Sequence, residues 1–235
     1  MTSTPSPEIR YTNVSALKVA IAEWHRREFE RAEDGYTAKD FFRVQFLDAF
    51  GHSDGVFLQL AAAFDAFACA IAHKVGLSNP DKADFASSNA LLVTKTGGDL
   101  GTLIESTAVD PGFTRLISYR NVAAHRSVTT PNIVLRANEV TDRDEVRFTI
   151  GDPPPTGVPD PGNTLVRDIL ARDLGWARGA LYALYPAALE AWGLTGDEQL
   201  RGDLGLRAPR TTTPSMTGRE VHIRVTDDDL VDEND

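Results

Sequence analysis

The chain has 235 residues, a formal net charge of −10 and a composition that is 42% hydrophobic and 25% charged. That length can bury roughly 70% of the surface an unfolded chain exposes, so a core needs no covalent staple. Cys69 is the single cysteine, which excludes an intrachain disulfide and a cysteine-based zinc cluster, and the acidic balance argues against general nucleic-acid binding.

In chain order, the polar, Pro-containing residues 1–12 read as a flexible arm with no signal-peptide h-region. Val14, Leu17, Ile21 and Trp24 fall at helical spacing and predict an amphipathic helix from about Asn13 to Glu33 with that stripe turned inward. A second helical stretch over about 38–50 is expected to break at Gly51-His52-Ser53-Asp54-Gly55. Phe57, Leu60, Phe64, Phe67, Ile71 and Val75 then repeat at steps of three or four up to the stop at Gly76, the strongest helical pattern in the chain. Cys69 lies in this apolar run and reads as a small hydrophobe. No apolar stretch is read as approaching the ~20 residues of a membrane span, so the expected compartment is the cytoplasm, without a membrane partner.

Shorter helices are expected around Ser87–Thr96 and Leu100–Ser106, parted by Gly97-Gly98. Asp110-Pro111 starts another, because Asp caps a helix and Pro at its first position wastes no N–H. That helix runs to about Arg126 with Phe113, Leu116 and Ile117 inward. Alternating runs at Ile133–Ala137 and Val146–Ile150 predict a β-hairpin, followed by a Pro-rich loop over 151–162. A long final helix to about Trp192 carries Leu165, Ile169, Trp176, Ala180 and Leu184 on one face, with a kink or break expected at Pro186. Residues 195–235 read as a polar extension, with a possible short strand at Glu220–Val225 and six acidic groups in the last nine positions. The expected fold is thus mainly all-α: an antiparallel bundle of four to five helices over 13–194, decorated by a hairpin inserted at about 132–151.

One segment runs against the acidic average. Gly112–Asn138 holds Arg115, Arg120, Arg126 and Arg136 with no Asp or Glu. Within it, Asn121 and His125 are four apart, hence neighbours on one helix face, and Arg120 stands five before His125, about 140° around the axis. The helix C-terminus would favour the imidazolium of His125. These residues admit a structural reading, with Arg120 bridging to a neighbouring carboxylate, Asn121 in an inter-helix hydrogen bond and His125 as a dipole partner. They also admit a functional one. Asp65, set between Phe64 and Ala66-Phe67, is expected to be partly buried and to want a partner, with Arg120 the natural choice.

Arg120-Asn121-Val122-Ala123-Ala124-His125 near the end of a bundle helix resembles the R-x4-H signature of the HEPN superfamily, and Phe64-Asp65-Ala66-Phe67 resembles its acidic second-helix pattern. The resemblance implies a metal-independent endoribonuclease, a toxin or antiviral defence effector in many members, acting on RNA as a homodimer. His125 would serve as general acid or base, Arg120 as phosphate clamp, Asn121 would orient His125 or donate to a phosphate oxygen, and Asp65 would orient the site. Arg115 and Arg126 would track the RNA backbone, and Tyr119 would offer a stacking platform. No cofactor or metal is expected, since His25, His52, His73 and His222 form no short ligand motif in sequence. Two other classes stay open: a non-catalytic dimerisation or partner-binding module, with an antitoxin as one such partner, and a small-nucleotide binder using the same Arg120 and His125. GxGxxG, GxxxxGK[ST] and HExxH strings do not occur.

Overall fold

The computed structural model describes residues 5–36, 44–125, 131–138, 143–150 and 164–194, with side chains for all of these except 44–47, 125, 131–138, 143–146 and 150. The fold is mainly helical: α1 (Pro7–Asp34), α2 (Val44–Lys74), a short 3-10 turn (Pro80–Lys82), α3 (Phe85–Thr96), α4 (Gly98–Val109), α5 (Pro111–His125), an antiparallel hairpin of β1 (Pro131–Asn138) and β2 (Arg143–Ile150), and α6 (Val166–Ala191). The expected arm is shorter than 12 residues, because α1 begins at Pro7, a residue suited to a first helical turn. The proposed strand at Glu220–Val225 and the acidic tail lie outside the described residues.

Helix α2 is the centre of the bundle. It runs unbroken through Gly51–Gly55, where a break was expected. A glycine inside a helix costs about 1 kcal/mol against alanine; α2 packs against α1 along most of its length, which outweighs that cost. Phe57, Leu60, Phe64, Phe67 and Ile71 are all buried, as their spacing requires. Gly76 takes φ +71 and the Leu77 N–H reaches back to the Ala72 carbonyl, closing the helix end. By length and composition Asp48–Lys74 could cross a bilayer, contrary to the sequence reading, yet 72% of its most apolar window is buried by the rest of the chain. That burial is what a core helix shows.

Helix α1 turns a different face inward from the one its apolar stripe suggests. Leu17 is 58% and Trp24 50% exposed, while Thr12, Ser15, Val19, Ala22, Phe29 and Glu33 are buried. Small residues allow α2 to approach, and the buried hydroxyls are satisfied: Ser15 Oγ donates to the Ala63 carbonyl at 2.7 Å and pairs with the Tyr185 hydroxyl at 2.8 Å. Those pairs, with His25 against Gly55, set α1 and α2 antiparallel. Ser15 against Tyr185 and Glu33 against Arg167 set α6 antiparallel to α1 on another side.

Helix α6 passes through Pro186 without ending, where a kink or break was expected. Leu181, Leu184, Tyr185, Ala188 and Leu189 on both sides of the proline are buried, and that packing holds the last turns in place. Burial raises the Tyr185 hydroxyl pKa and pushes that of Tyr182 up to about 12, so both phenols stay neutral at physiological pH.

The hairpin proves more than a decoration. Phe148 on β2 is fully buried and packs its ring against Phe29, Tyr36 and Phe50. Its amide donates to the buried Glu33 carboxylate at 2.8 Å, and Arg167 Nε donates to the same carboxylate at 2.6 Å. Strand, first helix and last helix therefore meet on one acid.

At the start of α5, Asp110 Oδ1 accepts the Gly112 amide at 2.6 Å, as the Asp-Pro start signal requires. A Cβ on Gly112 would lie 2.5 Å from ring carbons of Trp176, whose indole stacks on Phe64 at 5.6 Å. Gly112→Ala is expected to destabilise the fold by about 1–3 kcal/mol through overpacking, measured by urea denaturation. A loss under about 0.5 kcal/mol would mean that Trp176 simply swings aside.

Candidate functional site

Helix α5 carries the Arg-Asn-x-x-x-His segment on its last turns. Gly112, Phe113, Leu116, Ser118 and Tyr119 are buried, Asn121 and Ala124 are exposed, and Arg120 is half-buried between the two faces. His125 is the final residue of the helix, one turn beyond Asn121, and its side chain lies outside the described residues, as does all of Arg126. Arg120 makes no ion pair with a carboxylate among the described residues. Its guanidinium acts on Asp65 only as a through-space charge that lowers the carboxyl pKa.

The direct partner of Asp65 is different from the one expected. Asp65 Oδ1 accepts the Phe85 amide at 3.0 Å, at the first turn of α3, where Asp84 also accepts the Ser87 amide at 2.7 Å. Asp65 thus reaches across from α2 to satisfy an otherwise orphan helix donor. Burial raises its pKa most, the Phe85 amide opposes that, Asp84 adds to it and Arg120 opposes it, with a net rise. A raised carboxyl pKa means that this group's contribution to stability is complete below its unfolded value and is lost as pH climbs through the folded one. Asp65→Asn keeps an acceptor for Phe85 and removes the charge. The variant is therefore expected to match or exceed wild-type stability near pH 7.5, with the difference vanishing near pH 4, by urea denaturation at both. A variant weaker than wild type at the higher pH would overturn this.

Two residues assigned to RNA contact are engaged elsewhere. Arg115 Nε donates to Asp173 Oδ1 at 2.8 Å, and Asp173 is fully buried while also accepting from Arg172 at 2.8 and 3.0 Å. Tyr119 is 2% exposed and stacks on Phe57 at 4.6 Å, so its ring is core, not a platform for bases. Both follow from position: Tyr119 falls three residues after the buried Leu116, and Arg115 faces α6 across the bundle.

The sequence reading also missed polar clusters. Asp173 sits four after Ile169 and three before Trp176 on the apolar stripe of α6, a spacing that could have marked it as buried. Asp81 Oδ1 accepts the Tyr11 hydroxyl at 2.6 Å and contacts His73 Nε2 at 2.7 Å, tying α1, α2 and the 3-10 turn together. Cys69 is buried beside it, donates to the Ala83 carbonyl and has its pKa raised chiefly by burial, the opposite of an activated thiolate. Compared with known proteins, the chain matches no family model, no curated protein and no solved structure.

Proposed function

We propose that this chain is a HEPN-like, metal-independent endoribonuclease, working as a homodimer in a toxin or defence setting. The observation that carries the reading is that the Arg120–His125 segment closes a helix at the protein surface. Asn121 is exposed, and Arg120 is half-exposed without a carboxylate ion pair among the described residues. Such a guanidinium is available to a phosphate. In the reaction the ribose 2′-oxygen attacks the adjacent phosphorus, losing its proton to a base, and the P–O5′ bond breaks as the leaving oxygen takes up a proton. His125 supplies the acid–base function and Arg120 holds the charge that accumulates on the phosphorane oxygens. Asn121 orients His125 or donates to a phosphate oxygen. Asp65 acts only through space on Arg120, and Arg115 and Tyr119 have no part in contacting RNA.

The test is incubation of the full chain with single-stranded RNA in EDTA. Fragments ending in 2′,3′-cyclic phosphate are expected, and intact RNA at micromolar enzyme would reject the reading.

A second reading, a non-catalytic dimerisation or partner-binding module, draws on the apolar side chains at the surface of α1 and α2: Leu17 at 58%, Trp24 at 50% and Leu58 at 38% exposure. It predicts that Leu17→Glu and Trp24→Glu change the mass measured by light scattering while His125→Ala changes nothing. The nuclease reading predicts the reverse dependence for RNA cleavage.

A further inference from the structure

Helices α1 and α2 bring together two imidazoles that are far apart in sequence. His25 Nδ1 and His52 Nδ1 are 3.1 Å apart, with ring centroids 5.3 Å apart and planes inclined by 52°. Both rings are half-buried, and the half-exposed Trp24 packs edge-on against each, at 4.8 Å from His25 and 5.4 Å from His52. Gly55 clears the space: a Cβ there would lie 2.6 Å from His25 Nδ1 and 2.7 Å from its Cε1. Only a residue without a side chain lets the ring lie against α2.

As the rings stand, one Nδ1 carries a hydrogen and the other accepts it. Two neutral imidazole nitrogens held by separate helices are also the donor set of zinc, nickel and copper ions. Two nitrogens at Zn–N distances of about 2.05 Å around a tetrahedral ion would be about 3.3 Å apart, with ring centroids about 5.2 Å apart. The centroids already have that spacing. To ligate, the nitrogens separate by about 0.2 Å and both rings turn so that their lone pairs converge on the ion. Burial, and then His52, lower the His25 pKa and favour the neutral, metal-ready ring.

We propose that His25 and His52 form a two-imidazole site for a divalent transition-metal ion that staples α1 to α2, with solvent completing the coordination. As the ion enters, the ring bearing the Nδ1 hydrogen moves it to Nε2, so both rings ligate as neutral Nε2–H tautomers and no net proton is released. Among the described residues no group of three His, Cys, Asp or Glu side chains is placed to hold a metal, so the site has two protein ligands. Its affinity is below that of a closed four-ligand structural site.

Calorimetric titration of the full chain with ZnCl2 near pH 7.5 tests this. Wild type is expected to bind one equivalent more than His25→Gln, His52→Gln or the double variant, and excess zinc should raise its melting temperature where theirs is unmoved. Gly55→Ala retains both ligands but pushes His25 aside, and should weaken that equivalent by at least about tenfold. Circular dichroism in EDTA checks that each variant is folded, and cobalt(II) absorption bands report imidazole ligation directly. Equal stoichiometry and equal zinc response in wild type and folded double variant would overturn the site, leaving a hydrogen-bonded pair only.

Discussion

Glu33→Ala is expected to destabilise the protein by about 3 kcal/mol, more than any other single surface-to-core contact described above. The carboxylate is fully buried and accepts from the Phe148 amide and from Arg167, which also reaches Asp34. Removing it leaves the Phe148 N–H without an acceptor, worth about 1–3 kcal/mol, and strips a guanidinium of its closest countercharge. Asp34 is on hand for Arg167 and softens that second loss, which is why the lower end of the 3–5 kcal/mol range for breaking a buried pair applies. In a domain of this size the change corresponds to a fall in melting temperature of about 6–12 °C. Glu33→Gln keeps an acceptor for Phe148 and should cost less. Hydrogen exchange at the Phe148 amide should accelerate in the alanine variant before the bundle as a whole opens. A loss below about 1 kcal/mol with unchanged exchange would show that the aromatic contacts of Phe148 anchor the hairpin by themselves.

His125→Ala and Arg120→Ala are expected to reduce RNA cleavage by about 10²–10⁴-fold and about 10²–10³-fold respectively, with the fold intact. The imidazole loss removes proton transfer at both the attacking and the leaving oxygen. Losing the guanidinium removes charge stabilisation, and Arg120→Lys should restore only part of it, because an ammonium lacks the planar fork that grips two phosphate oxygens. Neither substitution should cost much stability: His125 closes a helix and Arg120 holds no carboxylate ion pair among the described residues. Cleavage within about twofold of wild type in both folded variants would remove the nuclease proposal and favour the binding-module reading.

The two kinds of prediction rest on different parts of the chain for a physical reason. Glu33 and Asp173 are buried charges that must be matched inside the molecule, and each is met by guanidinium groups. Arg120 is not so matched among the described residues, and Asn121 faces solvent. Polar groups left without internal partners at a helix end are the ones a ligand can use.

Local signals in the sequence determined the helical class, the α2 core stripe, the Asp110-Pro111 start, the Gly76 stop and the hairpin, since each depends on spacing, caps and turn chemistry within a few residues. Tertiary structure decided the rest. It set which face of α1 turns inward, because Ser15 and Glu33 find partners on α2, β2 and α6 that no local pattern names. It carried α2 through two glycines, took Tyr119 and Arg115 into the interior, gave Asp65 the Phe85 amide instead of Arg120, and brought His25 beside His52. Periodicity records how apolar a face is; whether a polar group can be buried depends on what the partner element presents across from it, and that is known only once the helices are packed.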